Sequence, residues 1–108
     1  MEILKQKGRE FILDGKQYFL KFNLETLNKM NELSNNDIDN FVINSSNVST
    51  ILSWMINEYI DDYNKNNDDK LEPVTPEYLN KEIPNNYIGD VIRFIVCCMK
   101  GDYEEKNF

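Results

Sequence analysis

The chain of 108 residues carries 19 Asp and Glu against 12 Lys and Arg, a formal charge of −7, and has the size of one domain with one small core. It has no histidine, so the usual general base and the commonest metal ligand are missing, and triad hydrolases and histidine zinc sites are excluded. Hydrophobic residues at 41% and aromatics at 12% set it apart from a disordered acidic tail, while 16 Asn, 11 Ile and no Ala bear the stamp of an AT-rich coding sequence.

Residues 9–22 hold two β-prone runs around Asp14-Gly15, a strong short-range hairpin signal. A two-residue turn pairs Leu13 with Lys16 and Phe11 with Tyr18. That register puts Phe11, Leu13, Tyr18, Leu20 and Phe22 on one face and Ile12, Gln17 and Phe19 on the other. An isolated hairpin is marginal in water, so its apolar face must pack on helices. Asn23 reads as the N-cap of a helix over about 24–33, with Leu24, Leu27, Met30 and Leu33 as its apolar stripe. Ile38, Phe41, Val42 and Ile43 predict one or two short helical turns over about 37–44. Ser45-Ser46-Asn47 offer caps for a main helix over about 48–63, in which Val48, Ile51, Leu52, Met55, Ile56, Tyr59, Ile60 and Tyr63 fall within a half-circle. Trp54 leaves that stripe and lies with Glu58 and Asp61 on the outer flank.

Residues 64–74 have no periodicity and are too rich in Asn and Asp to bury, which predicts a mobile surface loop. Thr75-Pro76-Glu77 supplies an N-cap followed by proline at the first helical position, for a short helix over about 76–82 that stops before Pro84. The last helix, about 86–100, is apolar over about 200° of arc and is expected to be the central one. Gly101 is placed to cap it, and 102–108 reads as a flexible polar tail. The expectation is a single domain over 1–108 of α+β class, an N-terminal β-hairpin packed on a small bundle of about four to five helices.

Asp62, Asn64, Asn66 and Asp68 alternate as calcium ligands do. Asn67, however, stands where a glycine is needed and Pro73 where the bidentate Glu belongs, so a solvated loop is expected there and no metal. The carboxylate pairs Asp61/Asp62, Asp68/Asp69 and Glu104/Glu105 are chain neighbours on exposed segments, not groups set across a cleft. Cys97 and Cys98 are expected to be reduced, Cys98 on the apolar stripe and Cys97 on the polar side near Arg93. Neither has a histidine to serve as its base. The four glycines form no phosphate loop, so catalytic residues and cofactors are not expected and the chain does not read as an enzyme. The acidic balance argues against direct nucleic-acid binding. No apolar run approaches the roughly 18 residues of a membrane span, and residues 1–7 lack the apolar stretch of a signal peptide, which predicts a cytoplasmic protein without membrane contact. Trp is enriched in binding hot spots, which makes Trp54, with Glu58 and Asp61, the candidate partner-binding set. The competing reading is that the hairpin or the tail covers it.

Three stretches, Asp14-Gly15-Lys16-Gln17-Tyr18, Phe22-Asn23-Leu24 and Val74-Thr75-Pro76-Glu77-Tyr78-Leu79, occur in this order of elements across residues 9–101. In this the chain resembles the tail assembly chaperones of long-tailed bacteriophages and prophages, the lambda G protein-like family. The resemblance implies a non-enzymatic protein of the bacterial host cytoplasm that binds the tape-measure protein, keeping its long hydrophobic helices soluble while tail-tube subunits assemble around it. It also implies a longer frameshifted form, and Glu105-Lys106-Asn107 is compatible with the slippery codons GAA AAA AAC. The alternative is a small acidic phage-encoded inhibitor of a host defence complex, anti-CRISPR-like or a nucleic-acid mimic. Lys29, Lys65, Lys70 and Lys81 interrupt the dense carboxylate array that a mimic needs.

Overall fold

Asp14 and Gly15 adopt φ of 52° and 75°, the left-handed pair of a two-residue type I′ turn, and so join strands β1 (Arg9–Leu13) and β2 (Lys16–Leu20). The register is the expected one: Leu13 faces Lys16, Phe11 faces Tyr18 and Arg9 faces Leu20. Leu13, Tyr18 and Leu20 are buried, whereas Ile12 and Phe19 on the opposite face are exposed. The computed structural model describes residues 8–100, so the expected cap at Gly101 and the tail 102–108 lie outside the described residues. Four α-helices follow the hairpin: α1 (Leu24–Leu33), α2 (Val48–Asn66), α3 (Pro76–Glu82) and α4 (Ile88–Lys100), with 3-10 turns at Ile38–Asn40 and Asn85–Tyr87. The class is α+β, a two-stranded antiparallel hairpin packed on helices.

The central helix is α2, not α4. It touches β2, α1, α3 and α4, and it buries Val48, Ile51, Leu52, Met55, Ile56 and Ile60 together with Ser53. Helix α4 is the more apolar by sequence but buries only Val91, Ile95 and Cys98, because among the described residues α2 is the one α-helix it packs on closely, which leaves part of its wide apolar arc uncovered. A second correction concerns α1. Its bounds and its Asn23 cap are as expected, yet the buried residues are Thr26 and Met30, while Leu24, Leu27 and Leu33 are exposed. At 100° per residue Leu27 and Leu24 turn about 60° and 120° away from Met30 on one side, whereas Thr26 lies about 40° to its other side; Leu33 shares Thr26's direction to within about 20° and is exposed at the last residue of the helix.

Only Ile38–Asn40 of the expected helical stretch 37–44 is helical, as a single 3-10 turn. Phe41 is extended (φ −76°, ψ 134°), and the chain beyond it is held by Asn47, whose side chain donates to the Val42 carbonyl (3.0 Å) and accepts from the Asn44 amide (2.8 Å). Thr75 caps α3 as expected, its hydroxyl oxygen accepting from the Tyr78 amide at 3.1 Å.

The expected mobile loop is instead a strap. Asn57 of α2 donates to the Val74 carbonyl (2.9 Å) and accepts from the Val74 amide (2.8 Å). Asn64 does the same with Leu71, at 3.1 and 2.8 Å. Each asparagine thus pairs with one backbone residue as a neighbouring strand would. The spacings also match: seven residues of helix rise about 10.5 Å, and three residues of extended chain span about 10 Å. Helix α2 runs on past Tyr63 because its last carbonyls find donors: Asn66 bonds Asp62 O and Asn67 bonds Tyr63 O, each at 2.9 Å, and Lys70 reaches Asn64 O and Asn67 O. High Asn content therefore ties this segment down.

Candidate partner-binding surface

The C-terminal part of α1, the segment after it and the outer face of α4 enclose an open groove of about 300 Å³. Met30 comes from α1, Ile38, Phe41, Val42 and Ile43 from the connecting segment, and Ile92, Val96 and Met99 from α4. Every lining residue is apolar. Asn35 and Asn36 take positive φ of 56° and 64°, which asparagine tolerates, and turn the chain back after α1 to form this wall. Phe41, Val42 and Ile43 cannot all point inward from extended chain, and Val42 stands 67% exposed. Met99 on the facing helix is 41% exposed. Leu27 and Leu33 of α1 add further exposed apolar surface. Two methionines in such a wall let it adapt to differently shaped apolar side chains.

Trp54, Glu58 and Asp61 lie at i, i+4 and i+7 on one flank of α2, in different surroundings. Trp54 is half-buried and packs against the core cluster, Glu58 is half-buried, and Asp61 is exposed. Glu58 accepts a hydrogen bond from the side-chain amide of Asn23. The other end of that amide caps α1, its oxygen accepting from the Thr26 amide at 3.1 Å. Asn23 therefore joins the start of α1 to the middle of α2, and Glu58 is an anchor between helices. Burial pushes the Glu58 carboxyl above its ordinary value; Glu25 and Asp62 add to this, while the Asn23 bond and Lys21 oppose it. The groove residues were missed by the sequence reading because apolar residues were assigned to the core. The signal that could have found them is the run Phe41-Val42-Ile43, longer than one inward face can use.

The other chemically interesting residues sit apart from the groove or are already engaged. Burial pushes the Cys98 thiol up to about 11, so it stays protonated at neutral pH, and Cys97 and Cys98 are not joined in a disulfide. In the 62–68 stretch, the Asp62 carbonyl accepts from Asn66, and the Asn64 side chain is turned to Leu71. Tyr63 donates its hydroxyl to Asp69 at 2.8 Å, which raises the Tyr63 pKa, and Phe11 packs on Phe94 with ring centroids 5.1 Å apart. Among the described residues no cluster of His, Cys, Asp or Glu is arranged to hold a metal ion, and no helix is long and apolar enough to cross a membrane. A search of protein-family profiles, of curated proteins and of solved structures finds no match to the chain.

Proposed function

We propose that the chain is a non-enzymatic tail assembly chaperone that holds the apolar face of a tape-measure helix while the tail tube is built, in the cytoplasm of the bacterial host. The observation that carries this reading is the groove lined by Met30, Ile38, Phe41, Val42, Ile43, Ile92, Val96 and Met99. A wholly apolar groove between helices is the receptor that an amphipathic helix needs, and a contiguous apolar surface of this kind on a small domain marks a partner site. The charge of −7 suits the task, because it keeps the complex dispersed while apolar surface is covered. The order of hairpin, Asn-capped helix and Thr-Pro-capped helix supports the same reading by resemblance.

The test is co-expression with the long tape-measure reading frame expected downstream in the same genome. The wild-type chain is expected to keep that protein in the soluble fraction. A Val42→Asp/Met99→Asp variant, checked by circular dichroism to be folded, is expected to leave it in the pellet. Equal solubility with both chains overturns the reading, and co-purification of a host nuclease or effector complex instead of a tape-measure protein favours the defence-inhibitor alternative.

A further inference from the structure

A second groove, of about 440 Å³, lies between β1 and the α3–α4 junction. Its lining includes four successive residues of the hairpin, Phe11, Ile12, Leu13 and Asp14. Successive strand residues point to opposite faces, so a groove touched by all four runs along the strand's edge and not over one face. The turn fixes which backbone groups meet that edge. In a two-residue hairpin the positions flanking the turn are a hydrogen-bonded pair, and such pairs alternate along the ladder. Leu13–Lys16, Phe11–Tyr18 and Arg9–Leu20 are therefore bonded inward, and Glu10 and Ile12 direct their N–H and C=O groups outward. Among the described residues no strand lies beside β1 on that side, and neither backbone bonds elsewhere.

The far wall offers Ile83, Pro84, Tyr87, Val91 and Phe94. Ile12 and Tyr87 are more than half exposed, at 61% and 52%. The charged residues in the lining are Asp14, Glu82 and Asp90, all acidic. Asp90 shares its charge with Arg93, Asp14 accepts from the Tyr78 hydroxyl at 3.5 Å, and neither Asp14 nor Glu82 has a cationic partner among the described residues. Arg9 is turned to the ring of Phe94, 5.8 Å from its centroid.

We propose that this edge takes an extended peptide segment of a protein partner as a third strand, with alternate apolar side chains in the groove and basic side chains at its mouth. Main-chain bonds to Glu10 and Ile12 supply the register, the apolar wall supplies affinity, and Asp14 and Glu82 select for Lys or Arg. The inference is independent of the chaperone reading, which concerns the groove on α1 and α4.

The test uses the full chain, isotopically labelled, and a synthetic peptide of about seven residues alternating Lys and Val. The expected result is a set of amide shifts at Glu10, Ile12, Tyr87 and Val91 with slowed exchange of the Glu10 and Ile12 amides. Ile12→Pro removes one outward N–H without touching the β1–β2 ladder and is expected to weaken binding about tenfold, as is Glu82→Lys at the mouth. N-methylation of alternate peptide amides on the bonding edge is expected to abolish binding, and methylation of the other set to leave it unchanged. Equal binding by both methylated peptides, shifts confined to the α1–α4 groove, self-association of the chain through this edge without peptide, or no shift at millimolar peptide overturns the proposal.

Discussion

Two flanks of the molecule, the strap beside α2 and the groove between α1 and α4, each carry a short non-helical stretch and treat it in opposite ways. On one flank, residues 71–74 lie against the helix and are bonded to it backbone to side chain, so Val74 is buried and Leu71 half-buried. On the other, residues 41–43 close an apolar groove whose open side shows Val42 and Met99. The difference lies in the partners available to the backbone. Asparagines at 57 and 64 give the first segment a substitute strand edge, whereas the second is held by the Phe41 amide on the Ile38 carbonyl and by Asn47 on Val42 and Asn44, and spends its apolar side chains on a groove that nothing in the described chain fills. Closure on one side and openness on the other make the second flank the better place for a partner.

The largest expected effect breaks the closed flank. Asn57→Leu removes both bonds to the buried Val74 backbone and leaves an amide and a carbonyl unmatched, which should cost about 2–4 kcal/mol in urea unfolding. A loss below about 0.5 kcal/mol would mean that the strap follows the fold instead of securing it. Next, Trp54→Ala asks whether the partner surface reaches around α2. Because Trp54 packs on the core, stability should fall by about 2 kcal/mol while affinity for a tape-measure helix stays unchanged. Unchanged stability with lost affinity would move the partner site to Trp54, Glu58 and Asp61.

On the open flank, Val42→Asp should change stability by less than about 0.5 kcal/mol, because most of that side chain is already in water, and Met99→Asp by about 1 kcal/mol, because Met99 is more than half covered and stands in the last turn of α4, while partner binding is lost in both. A large destabilisation would show that the groove is part of the core. The smallest effect concerns Glu58. Its folded pKa is raised, so its contribution to stability is fully present below the ordinary carboxylate range and is lost as pH rises through the folded value. Glu58→Gln keeps an oxygen for Asn23 and should slightly raise the melting temperature at pH 7, with the gain disappearing in acid. A gain that persists in acid would assign it to packing and not to charge.

Where a residue's local chemistry decided the outcome, the sequence was readable. Asp14-Gly15 set the hairpin register, Asn23 and Thr75 set helix starts, and Pro84 stopped α3, because turns and caps depend on a few adjacent atoms. The inward face of α1 was not readable, since periodicity shows that leucines recur but not what lies opposite them. Asn57 and Asn64 were also opaque: an asparagine that pairs with backbone 17 residues away has the same letter as one in water. The engagements of the candidate trio with the rest of the chain were hidden for a similar reason. Wheel geometry put Trp54, Glu58 and Asp61 on one flank, but Asn23 claimed Glu58 and the core claimed part of Trp54.

A backbone amide titration of the labelled chain with a synthetic amphipathic helix from the proposed tape-measure partner asks where on the molecule a partner docks. If the open flank receives it, shifts centre on Met30, Phe41, Val42, Ile92, Val96 and Met99, with Asn57, Leu71 and Val74 unmoved. Shifts centred on the strap or on Trp54 and Asp61, or no binding to the helix, would contradict that placement.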